Sequence, residues 1–177
     1  MATGAIERFI PTGLRLVTGE EVEADVVVTA TGLVVKLFGG VELIVDEQVV
    51  DPSKHTIWRG MMLSDVPNYF LSFGYTNASW TLRSDVTAKA VCRLLNRMKR
   101  GGYSVCTPRL PDERMERHPV ITFTSGYVQR ALAFLPKQGS RQPWIVPQNY
   151  VKDRFAMRFG PVDEDLELSC NPAVVRA

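Results

Sequence analysis

Two apolar segments of this chain each run directly into a turn of small and hydroxylated residues. The first is Val26–Val28, three β-branched residues without polar alternation, followed by Thr29-Ala30-Thr31-Gly32. The second is Tyr69–Phe73, followed by Gly74 and the segment Asn77–Thr81. An uninterrupted β-branched run is typical of a strand covered on both faces in a parallel sheet. Small residues after such strands let backbone N–H groups approach a nucleotide. The pattern therefore predicts an α/β fold with a nucleotide-binding edge.

The first 24 residues predict a small β-meander. Ala5–Phe9, Gly13–Val17 and Glu21–Ala24 are short strands separated by turn residues. Residues 33–54 are less regular and contain Gly39-Gly40, so we expect a loop, with a further hairpin as the alternative. This part of the chain leads into the second apolar segment.

The longest helix is predicted over Ser79–Arg100, because apolar residues recur there at three- and four-residue steps. Asn77 or Ser79 can cap its start, and Gly101-Gly102 can end it in the left-handed conformation. The expected core face comprises Val86, Ala90, Val91, Leu94, Leu95 and Met98. The expected water face carries Lys89, Arg93, Arg97 and Arg100.

Beyond this helix, prolines interrupt the chain and the predicted elements are shorter. A helix is expected over Ser125–Leu135 and a helical turn over Asn149–Arg158. Asp163–Glu167 is interpreted as an acidic tail. We find no internal repeat and no low-complexity segment.

Composition narrows the classes of partner and compartment. The 177 residues carry 21 Lys+Arg against 19 Asp+Glu, a net charge of +2 that is too small to indicate nucleic acid or an anionic membrane as the main partner. No transmembrane segment and no secretory signal are recognisable, so a cytoplasmic protein is expected. The three cysteines have no Cys-x-x-Cys spacing, which argues against a disulfide framework and a zinc site. Cys92 is expected to be packed within the helix.

The turn before the long helix has two interpretations. A helix start presents unpaired backbone N–H groups and partial positive charge, which suit the carbonyl oxygens of a flavin's pyrimidine edge. The alternative is an ordinary capped helix, which is the commoner case. Gly32 likewise either supplies a positive φ near a cofactor or simply ends a strand.

Other candidate residues are weaker. Arg59 and Arg83 are possible phosphate ligands but are more often solvated or paired. The three tryptophans Trp58, Trp80 and Trp144 are more often core or interface anchors than ring-stacking partners. His55 and His118 have no nucleophile or carboxylate set around them, and neither is assigned a role. No catalytic residue and no metal ligand is predicted.

In this order, these segments resemble the flavin-containing monooxygenases, in particular the Baeyer–Villiger branch that includes thioamide-activating enzymes. The matching stretches are Glu23–Leu33, Arg59-Gly60, Pro67-Asn68, Phe73–Leu82, Cys92–Leu95, Ser125–Tyr127, Leu135-Pro136, Gln138-Gly139, Pro143-Trp144, Asn149-Tyr150 and Gly160–Asp163. The resemblance extends over nearly the whole chain, and Gly74–Leu82 is far more specific than the Ala-Thr-Gly turn.

The resemblance implies an enzyme that uses FAD, NADPH and O2 to oxygenate ketones or sulfur and nitrogen compounds, small organic substrates. Residues 1–105 would be the C-terminal part of its FAD-binding, doubly wound (Rossmann-like) domain. Residues 106–177 would form a C-terminal extension with short helices and loops. By resemblance, Thr31 and Gly32 lie near the hinge with the NADPH domain. The residues implied to face the flavin ring are Asn77, Ala78, Ser79, Trp80 and Thr81.

The sequence also lacks motifs that the family carries. The family has one Gly-x-Gly-x-x-Gly turn for FAD and a second for NADPH, and this chain contains neither. It also lacks the family's fingerprint containing Phe-x-Gly and His, and its active-site arginine. We expect a truncated product or a separately encoded C-terminal piece, with an incomplete sheet, weak or no FAD binding alone, and dependence on an N-terminal partner chain. The alternative is a non-catalytic remnant or interaction module without redox activity.

Overall fold

The computed structural model describes residues 2–170, and the chain separates into two compact units, residues 1–33 and 34–177. The first unit contains a three-stranded antiparallel meander of β1 (Ile6–Ile10), β2 (Gly13–Leu16) and β3 (Glu21–Glu23). A tight turn lets Ile10 pair with Gly13. The predicted meander is therefore confirmed.

The buried strand predicted at Val26–Val28 is wrong. The segment belongs to no strand, and Val26 and Val28 are 78% and 84% exposed. A strand covered on both faces needs neighbouring strands for its N–H and C=O groups and packed layers for its side chains. Among residues 2–170 no strand pairs with this segment, so β-branched composition alone does not make it one.

The second unit begins with irregular backbone and two short hairpins. A 3₁₀ turn at Leu37–Gly40 precedes β4 (Ile44–Val45) and β5 (Gln48–Val49), so the hairpin alternative is correct for part of residues 33–54. Next, β6 (Ile57–Trp58) pairs with β7 (Met62–Leu63), and all four of these residues are buried.

The second predicted strand, Tyr69–Phe73, is also absent as a strand. Its backbone is tied to the β6–β7 turn, since the Leu71 N–H donates to the Met61 carbonyl at 2.9 Å. Phe73 is nevertheless buried in an apolar cluster. The apolar pattern predicted burial correctly and strand pairing incorrectly.

The long helix α1 spans Trp80–Gly101, with Ser79 at its N-cap and Gly102 as a left-handed C-cap. Its buried residues are Arg83, Val86, Thr87, Ala90, Leu94 and Met98. The helix is therefore confirmed, but two expectations for its faces are wrong. Leu95 is 49% exposed because one residue along a helix rotates the side chain by about 100° from the buried Leu94. Cys92 is exposed rather than packed.

Short elements complete the second unit: β8 (Val105–Pro108), β9 (His118–Pro119), α2 (Gly126–Ala131), β10 (Lys137–Gln138), α3 (Tyr150–Phe159) and β11 (Leu166–Ser169). Strand β11 pairs antiparallel with β8, β10 pairs with β9, and α3 packs on α1. The expectation of an acidic tail is wrong, because part of that segment is β11. Both shorter helices were predicted to within a few residues.

Two apolar clusters form the core of the second unit. The larger contains Trp58, Leu94, Trp144 and Met157 among its members, and the smaller contains Ile57 and Phe73. A mixed α/β composition is thus confirmed. All paired strands described in residues 2–170 are antiparallel, and no doubly wound parallel sheet is present among them. In the same range, no helix combines the length and hydropathy that crossing a bilayer requires.

Candidate functional site

The start of α1 is exposed and has no side-chain cap. Ser79 occupies the N-cap position, but its hydroxyl pairs with the Thr81 hydroxyl at 2.7 Å instead of accepting from the first helical turn. The first N–H groups of a helix have no partner within the helix, and 22 residues of aligned peptide dipoles lie behind them. This end of α1 therefore offers donors to an electron-rich oxygen.

Gln148 holds the turn that leads into the helix. Its side-chain oxygen accepts from the Thr76 N–H at 2.9 Å and from the Thr76 hydroxyl at 3.0 Å. Its backbone carbonyl accepts from the Asn77 side-chain amide at 2.9 Å. The position of the turn is thus fixed by a residue 71 or 72 places away in the chain, which no local sequence signal identified.

Trp80 lies directly against Gly74. A Cβ on Gly74 would stand 2.2 Å from the Trp80 Cδ2 atom, so only glycine leaves room for the indole. The ring centroids of Phe73 and Trp80 are 6.3 Å apart, yet Trp80 remains 61% exposed. Trp80 is therefore neither a core anchor nor fully free, whereas Trp58 and Trp144 are wholly buried as predicted.

An apolar cavity of about 390 Å³ adjoins Trp80. Its lining includes Leu37, Phe73, Ile121 and Leu135. Because its walls are mostly aliphatic and aromatic, the cavity suits an apolar group rather than a phosphate.

Thr31 and Gly32 lie in the other compact unit and are both exposed. Gly32 has φ = 83°, a left-handed conformation that L side chains rarely adopt. The expectation of a positive φ at Gly32 is therefore confirmed. A role for either residue in cofactor binding stays a prediction, as do the roles of Asn77, Ala78, Ser79, Trp80 and Thr81.

Arg83, one of the two candidate phosphate ligands, is an internal structural group. Its side chain is wholly buried, donating through Nη1 to the Asp153 carboxylate and through Nη2 to the Arg59 carbonyl. The Tyr75 hydroxyl donates to the same carboxylate at 2.5 Å. Desolvation lowers the pKa of Arg83 to about 10, so the guanidinium is still charged at neutral pH.

Arg59 is also paired with groups of the protein itself. Its Nη2 atom donates to the Pro161 carbonyl at 2.8 Å and to the Glu164 carboxylate at 3.0 Å. Burial lowers the pKa of Arg59, partly offset by Glu164. Neither arginine is available to a phosphate in this arrangement, and the paired alternative is correct for both.

The acidic stretch Asp163–Glu167, interpreted as a tail, makes hydrogen bonds and an ion pair with other parts of the second unit. Asp163 pairs with Arg97 at 3.0 Å, and Asp165 accepts from the Trp144 indole N–H at 2.8 Å. Arg93 donates to two carbonyls at the end of α3, those of Met157 and Gly160. The basic face of α1 therefore binds α3 and its following loop, a correction to the expectation that Arg93 and Arg97 face only water.

The sequence did carry one signal for the buried pair. Arg83 lies three residues before Val86, within the apolar stripe of α1, where a charge requires a buried partner. Asp153 lies four residues before Met157 on the buried face of α3.

His55 forms a structural contact: its Nδ1 atom lies within hydrogen-bonding distance, 2.6 Å, of the Ser64 carbonyl oxygen. In residues 2–170 no group of three side chains is arranged to hold a metal ion.

The donor set fits one edge of a flavin and not its phosphates. Exposed N–H groups at the start of α1 suit ring carbonyl oxygens, and Ala78 adds no bulk in front of them. The described residues contain no glycine-rich turn, and both arginines discussed above are paired. Contact of Asn77, Ala78, Ser79, Trp80 and Thr81 with a flavin ring stays a prediction.

Sequence comparison relates the chain to the FAD-containing monooxygenases, confirming the resemblance. It is 46% identical over 176 residues to the FAD-containing monooxygenase EthA of Mycobacterium tuberculosis (strain H37Rv), covering 99% of this chain and 36% of the relative. The probable FAD-binding monooxygenase AlmA of Acinetobacter baylyi is 44% identical, over 92% of this chain and 33% of its own length. The putative FAD-containing monooxygenase MymA of M. tuberculosis (strain H37Rv) is 40% identical, over 93% and 33%.

The chain thus spans about a third of the length of the curated relatives that it matches. No protein-family model matches the chain. No solved structure matches it either.

Proposed function

We propose that this chain is the C-terminal third of a monooxygenase that uses FAD and NADPH to oxygenate ketones or sulfur and nitrogen compounds with O2. The observation that carries the proposal is the 46% identity over 99% of the chain to an FAD-containing monooxygenase. Residues 1–105 would complete a doubly wound FAD domain when strands from an N-terminal partner chain are supplied, and 106–177 would form its extension. The boundary at residue 105 stays a prediction.

The chain's part in this reaction is to bind and orient the flavin ring. FAD would supply the redox chemistry when bound. The uncapped start of α1 would face ring carbonyl oxygens, which gain negative charge when the flavin is reduced. Trp80, supported by Gly74, would exclude water from one side of the ring, and the neighbouring cavity would accept an apolar part of the substrate.

Reconstitution tests this proposal. The chain is titrated with FAD alone, and again with a second chain that supplies the part of EthA it does not cover, while visible flavin absorption and NADPH oxidation are followed. We expect no stoichiometric flavin without the second chain, and a yellow, NADPH-oxidising complex with it. Stoichiometric flavin and NADPH oxidation by the chain alone would show that the missing phosphate turns are not needed.

A variant pair tests the ring-facing turn itself. Ala78→Glu places a carboxylate beside the oxygens expected at the start of α1, so FAD binding by the complex should weaken at least about tenfold. Ala88→Glu adds the same charge on the exposed middle of α1 and should leave binding unchanged. Equal effects of the two variants would exclude a specific contact at Ala78.

The alternative is a non-catalytic interaction module. The pairing of Arg59 with Glu164 and of Arg83 with Asp153 favours it, because these side chains have structural partners instead of phosphate contacts. A complex that forms with the second chain but binds neither FAD nor NADPH would support this alternative.

A further inference from the structure

Three hydrogen bonds hold the turn before α1, and all three end on Gln148. The Gln148 side-chain oxygen accepts from the Thr76 N–H and hydroxyl, and its backbone carbonyl accepts from the Asn77 side-chain amide. Thr76 and Asn77 directly precede the exposed residues Ala78 and Ser79, where α1 begins. The orientation of the first N–H groups of α1 therefore depends on one residue from the C-terminal part of the chain.

The backbone on both sides of Gln148 is itself fixed. Before it, Val146 is buried, and its N–H donates to the Gln138 side-chain oxygen at 2.9 Å. After it, Asn149 caps α3 by accepting from the Lys152 N–H at 3.0 Å. A side chain positions other groups only when its own attachment is rigid. Gln148 meets this condition because hydrogen bonds hold the chain two residues before it and one residue after it.

A second set of contacts anchors the chain on either side of the turn. The Asp153 carboxylate of α3 accepts from the hydroxyl of Tyr75, which immediately precedes Thr76. It also accepts from Arg83, in the first turn of α1. These buried contacts do not involve Gln148. Removing the Gln148 side chain should therefore loosen residues 76–79 and leave α1 packed against α3.

We propose that Gln148 is a positioning residue that tunes how well the flavin site stabilises reduced FAD, an inference that rests on the proposed function. Gln148 acts through Thr76 and Asn77 on the N–H groups at the start of α1. Fixed donors favour ring oxygens that have gained negative charge over the same oxygens in oxidised flavin. Loosening the turn therefore weakens the binding of reduced FAD more than that of oxidised FAD. A residue that served only stability would affect both forms equally.

Amide hydrogen exchange of the full chain without cofactor tests the first step. Gln148→Met keeps the length of the side chain and removes its acceptor, so protection of the Thr76 N–H should fall at least about fivefold. Gln148→Glu keeps acceptor oxygens and should retain the protection. The matched control is Gln129→Met, because Gln129 lies in α2 and donates to the Phe123 carbonyl at 2.7 Å. It should exchange at Thr76 like wild type. Unchanged Thr76 protection in Gln148→Met overturns the proposal.

Potentiometry of the complex with the second chain tests the second step. Gln148→Met should weaken the affinity for reduced FAD about tenfold more than that for oxidised FAD, which makes the two-electron reduction potential about 30 mV more negative. Gln129→Met should leave the potential unchanged. A wild-type complex that binds no FAD overturns the proposed function and this inference with it. A wild-type complex that binds FAD at the same potential as Gln148→Met overturns this inference alone.

A milder variant pair carries the test if circular dichroism shows that Gln148→Met does not fold. Thr76→Val removes the hydroxyl that donates to Gln148 and keeps the backbone N–H. Thr76→Ser keeps both donors. The reduction potential of the complex should become more negative in Thr76→Val and stay at the wild-type value in Thr76→Ser. Equal potentials of these two variants overturn the proposal.

Discussion

Removing the Asp153 carboxylate should strongly destabilise the second compact unit. The carboxylate accepts from the Arg83 guanidinium and the Tyr75 hydroxyl, and the Arg83 and Asp153 side chains are 0% and 2% exposed. Asp153→Ala leaves a buried guanidinium and a buried hydroxyl without their acceptor.

The size of the effect follows from burial. Breaking a buried ion pair by removing one partner costs about 3–5 kcal/mol, and the unsatisfied Tyr75 hydroxyl places Asp153→Ala at the upper end of that range. Arg83→Met/Asp153→Leu removes both charges at similar volume and leaves only two neutral groups, the Tyr75 hydroxyl and the Arg59 carbonyl, without these partners, so its cost should be about 2 kcal/mol. Asp85→Ala breaks the exposed pair with Lys89, 2.7 Å apart, and should cost under about 0.5 kcal/mol.

Urea unfolding followed by tryptophan fluorescence measures these differences. All three tryptophans belong to the second unit, so the signal reports on the unit that contains the pair. Asp153→Ala should therefore shift the unfolding midpoint far more than the double variant does. A double variant as unstable as Asp153→Ala would refute the reasoning, because lost packing rather than an uncompensated charge would then explain the loss.

Three further changes test local features. Gly74→Ala should lower the free energy of unfolding by about 1–3 kcal/mol, because its Cβ would overlap the Trp80 indole. In a Trp80→Ala background the same change should cost less than about 0.5 kcal/mol. Equal costs of Gly74→Ala in the two backgrounds, measured by thermal unfolding, would contradict the contact. Asn149→Ala should cost about 1 kcal/mol by urea unfolding, since its side chain caps α3, while Ser79→Ala, at an N-cap without a side-chain bond, should cost almost nothing. Burial raises the pKa of the Cys106 thiol and shields it from solvent. At pH 8 a thiol reagent should therefore modify Cys92 and Cys170 of the native chain and reach Cys106 only in denaturant. Rapid modification of all three cysteines would refute the burial of Cys106.

Elements with their own local signals were predicted well. Helix α1 was expected at Ser79–Arg100 and spans Trp80–Gly101, because apolar periodicity and the glycine stop act within a few residues of each other. The meander followed from its turn residues. For the candidate site, the sequence located the turn at Asn77–Thr81, but Gln148, which holds that turn, could not be found from local pattern.

The sequence by itself determined which segments are apolar, where α1 begins and ends, and that the chain is related to FAD-containing monooxygenases. Only the tertiary structure decided which charges are internal, because the Arg83–Asp153 and Arg59–Glu164 pairs join residues 70 and 105 positions apart. It also decided that Val26–Val28 form no strand. A strand needs hydrogen-bonding neighbours, and a buried charge needs a partner, and neither requirement is visible in the local sequence.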